Sequence, residues 1–122
     1  MNNDTIKILL VDDEPDILEI LSYNLIAEGY TVVTAVNGLE AVKSAKINQP
    51  HLIIMDVMMP EMDGIEACGQ IRAFPELKGT IITFLTARGE DYSQLAGFEA
   101  GADDYITKPI KPKVLVSKIK AL

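Results

Sequence analysis

Five side chains suited to handling a phosphoryl group stand where apolar, strand-like runs end. Asp12 and Asp13 follow Ile6–Val11, Asp56 follows His51–Met55, Thr86 follows Thr80–Leu85, and Lys108 follows Asp103–Thr107. If one sheet holds these strands side by side, the three carboxylates share one small volume. There they repel, so either their pKa values rise or a cation neutralises them. Clustered hard oxygen ligands favour Mg²⁺ or Mn²⁺. Lys108 adds a second positive charge and Thr86 a hydroxyl donor. Metal, ammonium and hydroxyl aimed at one carboxylate make a phosphoryl site. Asp56 is then the nucleophile, forming an aspartyl phosphate.

Taken singly, each residue has an ordinary reading. An Asp after a strand commonly caps a helix or forms a turn, and Asp12 or Asp13 could cap the first helix. Thr86 alone reads as a strand-end residue and Lys108 as a solvated charge. Lys108–Pro109 is an ordinary turn dipeptide, although a cis peptide there would aim the lysine inward. Met58 and Met59 read as packing, and Tyr105 as core or edge cover. The recurrence at one end of several strands favours the chemical reading.

The elements that must position these residues alternate. Strands are expected over Ile6–Val11, Thr31–Val36, His51–Met55, Thr80–Leu85 and Asp103–Thr107. Between them, Pro15 suits a first helical turn. Ile17, Leu18, Leu21 and Leu25 form an apolar stripe, and Gly29 closes that helix. Asn37-Gly38 is a turn signal, followed by a helix from about Leu39 to Ile47 with Ala41, Val42 and Ala45 on one face. A third helix spans about Gly64–Ala73, with Ile65, Cys68 and Ile71 inward. A fourth, of low propensity, spans about Asp91–Ala100. The last opens at Pro112 with Leu115, Ile119 and Leu122 on one face. Five strands alternating with five helices predict βαβ units and a doubly wound α/β fold with a parallel sheet covered on both faces. Ligands of such sheets bind outside the carboxyl ends of the strands.

With 122 residues and 48% hydrophobic residues, the chain is one domain with a real core. A net charge of −7 argues against direct contact with nucleic acid or an anionic membrane. Cys68 is the lone cysteine, so no intrachain disulfide forms and a reducing compartment is expected. No apolar run approaches the ~20 residues of a membrane span, and Met1–Thr5 lacks a signal peptide's basic start. A cytoplasmic location is the expectation.

The motifs Leu10-Val11-Asp12-Asp13-Glu14, Asp56-Val57-Met58-Met59-Pro60 with Asp63-Gly64, Leu85-Thr86-Ala87, and Gly101-Ala102-Asp103-Asp104-Tyr105 with Lys108-Pro109 together resemble the receiver domain of bacterial two-component response regulators. The resemblance runs from about Lys7 to Leu122. It implies a flavodoxin-like fold with strand order 2-1-3-4-5. It also implies that Asp56 accepts a phosphoryl group from the phosphohistidine of a sensor histidine kinase. Asp13, Asp56 and the Met58 backbone carbonyl would bind Mg²⁺, with Asp12 helping to hold it. Lys108 would pair with a phosphoryl oxygen, and the Thr86 hydroxyl and Ala87 amide would donate to the group. Tyr105 would be the switch aromatic, turning inward as Thr86 moves and changing the face of the fourth helix, fifth strand and fifth helix. Such a domain is not an enzyme, although it promotes its own phosphorylation and dephosphorylation. Met58 and Arg88 lie where side chains tune attack by water, and Met58 cannot position one by hydrogen bonding.

Val116–Leu122 looks like the end of the receiver in the winged-helix DNA-binding subfamily. That implies a transcriptional output and a homodimer through the fourth helix, fifth strand and fifth helix when phosphorylated. Asp103 and Lys118 could pair across it, but Gln94 and Val114 replace a usual charged pair. The start at Met1 suggests an N-terminal or complete domain, while the uncapped last helix suggests one cut from a longer regulator. Leu18, Tyr23 and Asn24 on helix one stand where a kinase could be selected. The alternatives are a stand-alone receiver or a pseudo-receiver acting by protein binding. A haloacid dehalogenase-type hydrolase wants a second Asp two residues after the nucleophile, where this chain has Met58, and a substrate cap. A dinucleotide site wants Gly-x-Gly-x-x-Gly after strand one, which is absent.

Overall fold

Strands of this chain are apolar on both faces, and a sheet built from them must be covered twice. The computed structural model describes residues 6–86 and 99–121. It contains β1 (Lys7–Val11), β2 (Thr31–Ala35), β3 (Leu52–Asp56), β4 (Ile81–Thr86) and β5 (Asp104–Thr107) in one parallel sheet ordered β2-β1-β3-β4-β5. Register is set by rows such as Val33, Leu9, Ile53 and Ile82, with Leu9 opposite both Val33 and Ile53. The α-helices among the described residues are α1 (Pro15–Ala27), α2 (Gly38–Asn48), α3 (Gly64–Arg72) and α4 (Pro112–Lys120), with a short 3₁₀ turn at Pro75–Leu77. Of the helix expected over 91–100, Glu99 and Ala100 are helical and the rest lies outside the described residues, as do Ala87, Arg88 and Gln94.

Alternation along each strand divides the core. Leu9, Val11, Ile53, Met55, Ile82 and Phe84 face α2 and α3, meeting Ala41, Ala45, Ala67, Cys68 and Ile71. Ile8, Leu10, Ile54 and Leu85 face α1 and α4, meeting Leu21, Leu25, Leu115, Val116 and Ile119. Each large side chain fully buried this way contributes about 1.5–3 kcal/mol. The two layers account for the unbroken apolar runs of β1, β3 and β4. The expected inward faces hold with adjustments. Ala67 and Val116 are buried although not anticipated, and Ile65, Ile17 and Leu18 are half-buried.

Helix ends show how the strands hand over to the site. Pro15 takes the first position of α1, and Gly29, at φ 96°, lies just past its end. Neither Asp12 nor Asp13 caps α1. The cap position is Glu14, without a side-chain bond, while Asp12 Oδ1 accepts from the Glu14 N–H at 2.9 Å. Asn37 is more than a turn residue, since its Oδ1 accepts from the Glu40 N–H at 2.8 Å and caps α2, making Gly38 the first helical residue. Asp63 caps α3 likewise through the Glu66 N–H at 2.8 Å.

Candidate functional site

β1, β3, β4 and β5 are neighbours, so their carboxyl ends open on one crevice. Asp12 and Asp13 stand just past β1, Asp56 and Thr86 are the last residues of β3 and β4, and Lys108 follows β5. β2, at the edge, sends only Asn37, already spent on the α2 cap. One carboxylate oxygen from each of Asp12, Asp13 and Asp56 lies within 4.8 Å of the others. Asp12 is fully buried, Asp56 is 6% exposed, and Asp13 faces solvent. The Lys108 Nζ reaches between them, 3.2 Å from Asp12 Oδ2 and 3.3 Å from Asp56 Oδ2. The Lys108–Pro109 peptide is cis.

The electrostatics follow from this crowding. Burial pushes the Asp56 carboxyl up to about 6, against the pull of the Lys108 ammonium and with a further push from Asp12. A backbone hydrogen bond from Met58 favours the ionised form. Burial works to lower the Lys108 pKa, but Asp56 and Asp12 outweigh it and hold the ammonium above the ordinary lysine value. One ammonium thus pairs with two of the three carboxylates.

The donor set fits a hard divalent cation. Asp12 Oδ2 is buried and meets the Lys108 ammonium at 3.2 Å. Its contact with Lys108 is ionic and leaves lone-pair capacity free. Carboxylate oxygens at this spacing suit Mg²⁺, which takes few protein ligands and keeps waters. Thr86 is fully buried, and its Oγ1 also lacks a hydrogen-bond partner among the described residues. A buried hydroxyl is costly unless it finds an acceptor, and this one stands at the end of β4, the strand paired with the one that ends at Asp56.

Met58 is not packing, contrary to expectation. The residue is 58% exposed, whereas Met59 is half-buried and Met62 buried in the core beneath α2. The strand-end turn throws Met58 outward, and its backbone is the part that addresses Asp56. Tyr105 is half-buried on the α2–α3 side and lies opposite Phe84. Thr86 falls on that same side of β4 by alternation. Two glycines escaped sequence reasoning as parts of the site. A Cβ at Gly64 would strike the Asp56 carbonyl oxygen, and one at Gly38 would strike that of Met62. The Asp-Gly and Asn-Gly pairs were visible, but a close backbone approach leaves no other mark in a sequence.

A doubly wound sheet of this strand order, with an acidic cluster and a lysine at its carboxyl edge, defines a class. The model of the response regulator receiver domain matches residues 8–120, and the chain belongs to that family. It is 47% identical over 120 residues to the alkaline phosphatase synthesis transcriptional regulatory protein PhoP of Bacillus subtilis, covering 95% of this chain and 48% of that protein. The chain spans about half the length of the curated relatives it matches. Its fold superposes on the chemotaxis response regulator CheY4 of Vibrio cholerae with a TM-score of 0.90 at 34% identity, covering 95% of this chain and 97% of that one. It also superposes on the receiver domain of sensor histidine kinase PA1611 from Pseudomonas aeruginosa, with a TM-score of 0.87 at 32% identity and 95% of each chain covered. That structure holds a magnesium ion in its active-site cleft. No helix among the described residues is long and apolar enough to cross a membrane.

Proposed function

We propose that this receiver is a phosphoacceptor switch whose phosphorylated residue is Asp56. The observation that carries the reading is Lys108 Nζ set 3.3 Å from an Asp56 oxygen and 3.2 Å from Asp12, with a buried Thr86 hydroxyl, unpartnered among the described residues, at the end of the neighbouring strand. An Asp56 oxygen attacks phosphorus of a histidine kinase's phosphohistidine. The P–N bond breaks, the O–P bond forms, and the imidazole leaves with a proton. Lys108 then exchanges its bond to Asp56 for one to a phosphoryl oxygen, and Thr86 donates its hydroxyl to another. Asp12, Asp13, Asp56 and the Met58 carbonyl would hold Mg²⁺. When bound, the cation offsets the charge of the carboxylates and of the phosphoryl oxygens. Water later cleaves the acyl phosphate to inorganic phosphate. The domain therefore cycles itself and turns over no separate substrate.

Movement of Thr86 toward the phosphoryl group frees room on the side where Tyr105 packs, and the face containing β5 and α4 changes with it. The kinase meets α1, where Tyr23 is 75% and Ile20 56% exposed. Similarity to transcriptional regulatory proteins, half of whose length this chain spans, supports a transcriptional output joined to the receiver and a cytoplasmic setting. Homodimerisation of the phosphorylated form through the β5–α4 face belongs to the same proposal. A pair between Asp103 and Lys118 is disfavoured, because Asp103 already binds Arg72 at 2.8 Å within the chain. Val114 is exposed and uncharged there.

Beryllofluoride, a stable phosphoryl mimic, tests the switch. With Mg²⁺ it should shift the amide resonances of Thr86, Tyr105 and α4 in the wild type and leave Asp56→Asn unchanged. Shifts confined to the carboxylate cluster would contradict the switch. Because exposed Met58 cannot orient a water, Met58→Asn should shorten the lifetime of the phosphorylated state several-fold, followed by loss of the bound phosphate. An already fast decay that the substitution does not increase would contradict this.

A further inference from the structure

Nothing in the backbone of α2 asks for glycine at its first position. Gly38 does not have positive φ, and alanine is intrinsically the better helix former. What excludes a side chain is a neighbour. A Cβ there would fall on the Met62 carbonyl oxygen, with the carbonyl carbon and the Met62 Cβ each 3.0 Å away. Gly69, on α3, would meet nothing within 4 Å. The contact joins α2 to the loop between β3 and α3, which carries Met58.

That loop is short and tied at both ends. The Val57 N–H donates to the Leu85 carbonyl at 3.2 Å, and the Gly64 N–H donates to the Val57 carbonyl at 2.8 Å. Met62 is buried at 8% exposure, and its N–H donates to the Pro60 carbonyl at 2.8 Å. Between the anchors, Met58, Pro60 and Glu61 are exposed, and Glu61 has a positive φ of 70°. α2 is the stiffer partner, since Ala41 and Ala45 are fully buried against the sheet and Asn37 caps it. A methyl group at position 38 therefore displaces the loop rather than the helix.

We infer that Gly38 is a positioning residue for the phosphoryl site, letting Met62 seat the β3–α3 loop so that the Met58 backbone faces Asp56. The inference rests on the reading of the acidic cluster as a Mg²⁺-dependent phosphoryl site. Its signature is a loss of cation affinity in a folded protein, which a merely structural glycine would not give.

The experiment is Mg²⁺ titration, followed by amide resonances, of wild type, Gly38→Ala, Gly69→Ala and Met62→Ala. Gly38→Ala should bind Mg²⁺ at least tenfold more weakly, with its metal-free shift changes concentrated at residues 57–63. Gly69→Ala should bind as wild type does. Met62→Ala, which removes the buried side chain that seats the loop and leaves Gly38 in place, should also weaken binding and serves if Gly38→Ala does not fold. Wild-type affinity in a folded Gly38→Ala, or in Met62→Ala if Gly38→Ala does not fold, overturns the positioning role and leaves the phosphoryl site intact. Absence of Mg²⁺ binding by wild type overturns both.

Discussion

Asp56 is held in a place that resists its own charge. Its carboxyl is pushed to about 6 by burial, above the ordinary value of 3.8. A group whose folded pKa exceeds its unfolded one binds the proton more tightly when folded, so its stabilising influence is present below the unfolded pKa. That influence is lost as pH rises through about 6. Above pH 6 the ionised Asp56 is therefore a burden on the metal-free fold. Asp56→Asn keeps the shape and removes the charge. It should stabilise the metal-free protein at pH 7.5 by on the order of 2 kcal/mol after discounting for solvent screening. The gain should shrink between pH 6 and pH 4, as thermal or urea unfolding across that range would show. An equal gain at pH 4 and pH 7.5 would mean that the charge is not the cause. The site carboxylates, Lys108 and Thr86 were legible in the sequence because strand ends are legible. The exposure of Met58 was not, since an apolar side chain beside a strand reads as core until the turn geometry is known.

Among the elements, α3 has a second task at its C-terminal end. The Arg72 guanidinium donates to the carbonyls of Gly101 at 2.8 Å, Leu77 at 3.2 Å and Thr80 at 2.6 Å, and to the Asp103 carboxylate at 2.8 Å. Asp103 in turn accepts from the Ile82 N–H at 2.9 Å. One side chain thus ties α3, the start of β4 and the turn leading into β5. That turn fixes where β5 begins, and through it where Lys108 ends up. Arg72→Met should destabilise the fold by about 2–4 kcal/mol, because several carbonyls lose a charged donor. Arg72→Lys should recover little, lacking the planar fork. Chemical denaturation of the three proteins checks this, and a methionine variant within 0.5 kcal/mol of wild type would contradict it. No sequence pattern announces the clamp, because its partners lie up to 31 residues away. Helix periods, by contrast, located every described helix to within a few residues. The small inward residue Ala67 went unnoticed because alanine signals burial weakly.

At the scale of the molecule, the fold is a device for bringing four strand ends together. Alternation of strands and helices was enough to foresee a parallel sheet. It could not fix the order, which came from resemblance and which the sheet reproduces. Order matters because β1, β3, β4 and β5 must be neighbours for Asp12, Asp56, Thr86 and Lys108 to meet. On the proposed reading this convergence makes Asp56 a phosphoacceptor. Intact mass after incubation with acetyl phosphate and Mg²⁺, alongside Asp56→Asn, tests it most directly. The expected result is one added phosphoryl group in the wild type, absent without metal and absent in the variant. No adduct, or an equal adduct in Asp56→Asn, would contradict the claim and point to a receiver that works by binding partners alone.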